Sequence, residues 1–141
     1  QRLEPVLKES IRLHPPAWIL ARRAESEDEV LGHRIPDKSF VFVSPYVVHR
    51  HPEFWADPER FDPSRFEGET AKSQAKFSYF PFGAGPRRCI GEHFAMVEAK
   101  TLLGILSSRF SFRLPAKSMV EGDPSVTLRP KNGLKLWVSL K

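Results

Sequence analysis

Phe82-Gly-Ala-Gly-Pro-Arg-Arg-Cys-Ile-Gly91 carries the lone cysteine of a 141-residue chain and ends where a long helical pattern begins. One cysteine excludes an intramolecular disulfide and a cysteine-rich metal site. A thiolate at Cys89 would face the unpaired N–H groups and the positive dipole end of the following helix, and both favour ionised sulfur. The glycines let the backbone approach a flat ligand closely, and Arg87 adds positive charge. For an isolated cysteine the simpler reading, an inert buried thiol beside a turn, would stand.

On the C-terminal side of this loop, apolar residues at Phe94, Val97, Leu102, Ile105 and Leu106 predict a strongly amphipathic helix from Gly91 to about Phe110. Alternation predicts strands at Phe110–Leu114, Val126–Leu128 and Leu134–Val138, with Asn132-Gly133 as the hairpin turn between the last two. On the N-terminal side, Pro52–Pro81 is irregular, anchored by Trp55, Phe61, Phe66, Phe77 and Phe80, and irregular stretches of that length are usually functional. Val47–Arg50 opens a short helix. Strands are expected at Ala17–Ala24, Val30–Ile35 and Phe40–Val43, the last two separated by a turn at Pro36–Ser39. Helical spacing of Leu3, Val6, Leu7 and Ile11 predicts a helix from about Pro5 to Leu13, stopped by Pro15-Pro16.

The net charge of +5 comes from 22 Lys and Arg interleaved with 17 acids, which is a mixed solvated surface with no nucleic-acid patch. Persistent apolar runs exclude disorder, and 13 prolines argue for many turns. No apolar run reaches membrane length and no signal peptide is visible. A cytoplasmic protein is the expectation, with any membrane anchor outside these residues. The chain begins at Gln1 inside a helical pattern, so an upstream part is expected as well. His14, His33, His49, His51 and His93 complete no zinc set and read as surface or loop histidines.

The loop resembles the haem-binding loop of the cytochrome P-450 family. That pattern asks for Phe seven places before the cysteine, Gly four before, Arg two before and Gly two after, and Phe82, Gly85, Arg87, Cys89 and Gly91 fill every place. The resemblance implies haem b as cofactor, Cys89 as proximal ligand to its iron, Phe82 packed near the sulfur, and Arg87 paired with a haem propionate. It also implies a thiolate tempered by backbone N–H donors. Ala95 and Glu98 match the pattern on the following helix. Glu9 and Arg12, three apart on one helix face, resemble the family's buried Glu-x-x-Arg pair. Its third partner aligns with Arg65 in Pro63-Ser-Arg-Phe66, while Arg60 in Pro58-Glu-Arg-Phe61 is the fallback. Such a set would fix the loop fold rather than do chemistry. Arg22, ten places after Arg12, holds the place of a second propionate arginine, and Arg23 would point to the opposite strand face.

The resemblance spans nearly the whole chain but only the last third of a full-length protein. The fold expected is therefore α+β, a C-terminal haem-binding part with residues 1–141 in one domain whose N-terminal part lies elsewhere. The implied reaction is monooxygenation, with reductive O₂ activation at haem iron and oxygen insertion into a hydrophobic organic substrate. Ala17, Trp18, Ile19 and Leu20 would line the substrate, as would a hairpin turn around Arg129–Gly133. The phrasing near Trp18 looks most like soluble bacterial members acting on fatty-acid-like or terpenoid-like substrates. Implied partners are a redox protein (a ferredoxin or flavin reductase domain, docking near Arg88) and the missing N-terminal part, without which these residues are not expected to be active. Two alternatives stay open: a peroxide-driven enzyme of the same fold, and a non-catalytic fragment without stable haem.

Overall fold

Helix α1, Leu3–Leu13, starts with Glu4 in its first turn and ends with Arg12 in its last, each charge complementing the helix dipole. The computed structural model describes residues 3–116 and 118–141. On α1 the buried stripe is Pro5, Glu9, Arg12 and Leu13, while Leu3, Val6, Leu7 and Ile11 stay half-exposed. The helix thus turns its charged pair into the packed side together with Pro5 and Leu13.

Strand β1, Leu20–Arg23, pairs antiparallel with β4, Phe40–Val43, in the register Leu20↔Val43. Between them the single strand expected at 30–35 is instead a two-strand hairpin of β2, Asp28–Val30, and β3, His33–Ile35. Leu31 and Gly32 both take positive φ, 51° and 81°, the two-residue turn that matches strand twist. The apolar pattern across Val30–Ile35 hid that fold-back. Helix α2, Pro45–Val48, begins two residues earlier than expected because Ser44 caps it and Pro45 suits the first turn.

The stretch from Pro52 to Pro81 holds a 3₁₀ turn, Pro63–Phe66, capped by Asp62, and the short helix α3, Gly68–Lys72. Trp55 is its buried anchor, with Phe66 and Phe80 partly buried. Phe61 and Phe77 are not anchors, at 50% and 59% exposed. A second 3₁₀ turn, Gly85–Arg87, leads into α4, Glu92–Arg109. Helix α4 lies against α1, where a Cβ on Gly104 would press on Leu3 Cδ1 at 3.3 Å.

Strand β5, Phe110–Arg113, pairs with the last strand β8, Trp137–Leu140. The terminal hairpin is β6, Gly122–Pro124, with β7, Leu128–Pro130. Its turn therefore lies at residues 125–127, and not at Asn132-Gly133 or across Arg129–Gly133. Long-range pairing of β8 with β5 outweighs the local turn signal. Lys131 and Gly133 form only an isolated bridge.

Leu13 and Trp55 are the buried apolar side chains among the described residues. Helix α4 is not amphipathic. Phe94, Val97, Leu102, Ile105 and Leu106 stay exposed, and Met96 and Leu103 face the other way. Charged and polar residues, among them Glu98, Lys100 and Arg109, are interspersed with these apolar ones rather than gathered on one face. The accessible surface, 10991 Å², exceeds by about half the ~7,400 Å² that size scaling gives for a compact monomer of this mass.

Candidate functional site

Glu9 and Arg12 are fully buried and form a two-pronged pair, Arg12 Nε to Glu9 Oε2 at 2.7 Å and Nη2 to Oε1 at 2.8 Å. Arg12 Nη1 donates to the His49 carbonyl at 2.7 Å, Nη2 to that of Arg60 at 3.2 Å, and the guanidinium lies 5.1 Å from the Trp55 ring centre. The Asp62 N–H donates to Glu9 Oε1 at 2.8 Å. Arg65 Nε sits 3.5 Å from the same oxygen without a directed bond, while its Nη2 donates to the Asp57 carbonyl at 3.0 Å. Arg65 is thus the charge beside Glu9, and Arg60 joins through its main chain alone. Each oxygen of the buried carboxylate has a donor, the condition under which a buried ion pair is tolerated.

His49 is the residue that sequence reasoning misplaced. It is fully buried rather than on the surface. Its Nε2 accepts from the Phe80 N–H at 2.9 Å, and its ring packs on Tyr79 and Phe80 with centroids at 5.1 and 5.3 Å. Burial, with the Arg12 and Arg50 cations beside it, pushes its pKa down to about 4. Tyr79 bridges onward, donating to the Lys8 carbonyl at 3.1 Å and packing on Phe66 and Trp55. Burial and the Glu9 charge push its phenol well above the ordinary range. A polar residue among aromatics whose partners are backbone groups leaves no sequence signal beyond its type.

The chain then enters the cysteine loop. Gly83 N–H donates to the Phe80 carbonyl, Arg88 N–H to that of Gly85, and Cys89 N–H to that of Phe82 at 2.9 Å, which closes the loop on itself. Gly83 and Gly85 take φ of 74° and 70°, the left-handed region that glycine enters without strain. Cys89 is exposed, three residues ahead of α4. Among the described residues no donor reaches its sulfur, so the tempering N–H bonds expected of the loop are not seen. Gly91 would admit a Cβ at an ordinary 3.8 Å from Cys89 Sγ. Arg88, expected to greet an acidic partner, is held by Glu92 through two bonds of 2.6 Å. Ala95 is half-buried and Glu98 is exposed.

Beside Cys89 lies an open cavity of about 980 Å³, with Phe77, Phe80, Phe82 and Ala84 among its walls. An apolar slot of about 360 Å³ shares Phe77, Phe80 and Ala84 with it and adds Leu20, Val43, Val48 and Arg22. Among the described residues no acidic side chain pairs with Arg22 or Arg87, whereas Arg23 points its Nε at the Lys38 carbonyl. Ala17, Trp18 and Leu20 are half-buried and Ile19 is exposed. Trp18 Nε1 donates to the Ser125 carbonyl at 2.9 Å, and Leu128 N–H to that of Pro16, so the β6–β7 hairpin is clasped to this segment.

No group of three His, Cys, Asp or Glu among the described residues could hold a metal. A metal at Cys89 would therefore need its other ligands from outside the described residues. One sulfur donor on an open cavity, an apolar slot sharing Phe77, Phe80 and Ala84 with that cavity, and two arginines without acidic partners fit a flat macrocycle that brings its own metal and its own carboxylates. They fit haem b.

Comparison with known proteins names the class. Residues 2–137 match the family model described as "Cytochrome P450", and the chain belongs to that family, whose members bind haem b. It is similar to human "Cytochrome P450 4V2", 39% identical over 140 residues, which are 99% of this chain and 26% of that protein. It is similar to "Cyclooctatin synthase" of Streptomyces melanosporofaciens, 40% identical over 87% of this chain and 27% of that protein. Among solved structures, the "cytochrome P450DA heme domain" superposes with a TM-score of 0.91 at 28% identity, over 99% of this chain and 30% of that one. The fold is thus the α+β C-terminal portion of the cytochrome P450 fold, and the chain spans about a quarter of the length of these relatives.

Proposed function

We propose that the whole protein is a haem-thiolate monooxygenase and that this chain supplies the proximal side of its haem site. The observation that carries the reading is Cys89 itself, an exposed single sulfur donor on an open cavity that adjoins an apolar slot. Haem b, when bound, supplies reductive activation of O₂ for insertion of one oxygen atom into a hydrophobic organic substrate. Cys89 would hold the group through its sulfur. Phe80, Ala84 and Leu20 would keep water from it, and Arg22 and Arg87 would pair with its acidic groups. Glu9, Arg12 and Arg65 brace the loop. Ala17, Trp18, Ile19 and Leu20 line the substrate, joined by the hairpin turn that Trp18 holds at Ser125.

The rest of the fold covers the outward apolar side of α4, which accounts for the excess surface. Electrons come from a ferredoxin or a flavin reductase domain. Because Glu92 neutralises Arg88, that partner does not dock through Arg88 charge.

The test is the reduced carbon monoxide difference spectrum of the full-length protein. A Soret band at the thiolate position is expected, as is its loss in Cys89→Ser with haem retained. A well-folded, haem-loaded protein without that band would overturn the reading. Turnover with NAD(P)H and a reductase, rather than with peroxide alone, is expected of the monooxygenase.

A further inference from the structure

The buried ion pair and the cysteine loop do not touch directly. His49 stands between them and contacts both sides. Its carbonyl takes the Arg12 Nη1 bond at 2.7 Å, and its ring nitrogen takes the Phe80 N–H at 2.9 Å. Phe80 in turn accepts the Gly83 N–H at 2.9 Å, and Phe82, two residues on, accepts the Cys89 N–H. The Phe80 ring, packed edge-on to His49, also forms part of the apolar slot. Two hydrogen bonds thus run from Arg12 through His49 to Phe80, two residues ahead of the loop.

We propose that His49 is a positioning residue for the thiolate loop, its Nε2 acting through the Phe80 N–H to set where Cys89 presents its sulfur. The proposal rests on Cys89 being the haem ligand. His49 can do this only while Nε2 keeps its lone pair, which fixes the hydrogen-free nitrogen of the neutral ring. Arg12 from α1 and Arg50 from the end of α2 both oppose a proton there, and Tyr79, from the stretch ahead of the loop, offers no charge. Nothing else described takes the Phe80 N–H, so loss of the acceptor strands a buried donor. That leaves the Phe80–Phe82 segment free to shift, at a cost comparable to an unmade buried hydrogen bond.

The experiment compares full-length wild type, His49→Phe and His49→Gln, all haem-loaded, at neutral pH. Phe keeps the ring packing and removes the acceptor, whereas Gln places an amide oxygen near the position of Nε2. In His49→Phe the ratio of thiolate-type to non-thiolate carbon monoxide spectrum should fall at least about fivefold, as one stranded donor implies, with total haem unchanged. His49→Gln should restore it. Equal thiolate fractions in all three proteins would overturn the proposal while leaving Cys89 as ligand. Loss of the thiolate band in both variants alike would overturn it too, since packing and not the acceptor would then matter. If His49→Phe does not fold, His49→Gln decides alone: retention of the wild-type spectrum supports the acceptor role, and its loss sinks it. Absence of the band in wild type would instead break the reading of Cys89.

Discussion

Two regions of this chain carry charged residues, and they treat them in opposite ways. Around α1, Glu9, Arg12 and His49 are sealed from water, and each main partner comes from the chain itself. Around the cysteine loop, Cys89, Arg87 and Arg22 are exposed, and no described acidic side chain pairs with either arginine; Arg22 donates only to the Ala21 carbonyl. In the first region both oxygens of the carboxylate are satisfied, though His49 Nδ1, Trp55 Nε1 and Arg65 Nε find no partner among the described residues. The second region is open, as the proposed haem site requires. Buried charge is tolerated only when satisfied internally, so the two regions could not exchange residues.

The largest test of that difference is Cys89→Ser in the full-length protein. The thiolate-type spectrum should vanish entirely while chemical denaturation of the apoprotein changes little, because the exposed sulfur supports no packing. Next is Glu9→Gln, which leaves Arg12 and Arg65 buried without their anion. A loss of about 3–5 kcal/mol is expected from breaking a buried pair on one side, read as a fall in the denaturation midpoint. If the loss is small, the first region is not self-satisfied.

Acid should sharpen the contrast further. His49 is held near pKa 4 in the folded protein against an ordinary 6.5, so the unfolded chain binds its proton first as pH falls. Stability from this group is constant above pH 6.5, is lost between 6.5 and about 4, and is flat below. The full loss is about 3 kcal/mol. Denaturation midpoints measured across that window should slope in wild type, and the His49 part of the slope should be absent in His49→Gln. The smallest effects separate neighbours. Arg65→Ala should cost about 1–3 kcal/mol through the Asp57 and Glu9 contacts it gives up, whereas Arg60→Ala should leave the midpoint unchanged, since Arg60 contributes only its carbonyl. A reversed order would return Arg60 to the triad.

Much of the loop was legible because its chemistry is local. Cys89, its glycines, its arginines and the helix start all fall within eleven residues, and their spacing alone marks the family. Glu9 and Arg12 were legible only by position, since the same pair on another helix would be solvated surface. Arg65 could be picked over Arg60 from the phrase around it, but the role of the Arg60 carbonyl could not, because main-chain partners have no residue code. Leu31-Gly32 was read through because an apolar run conceals a two-residue fold-back. The Asn132-Gly133 signal failed because β5 captured β8 across the chain.

Taken alone, the sequence determined the family, the lone cysteine and the elements whose period or caps are written in neighbouring residues. Only the tertiary structure decided that His49 lies in the core and that α4 leaves apolar residues exposed. The physical reason is range. Helix caps, glycine dihedrals and motif spacing act within a few residues, while burial and hydrogen-bond satisfaction depend on which distant backbone groups the fold brings alongside.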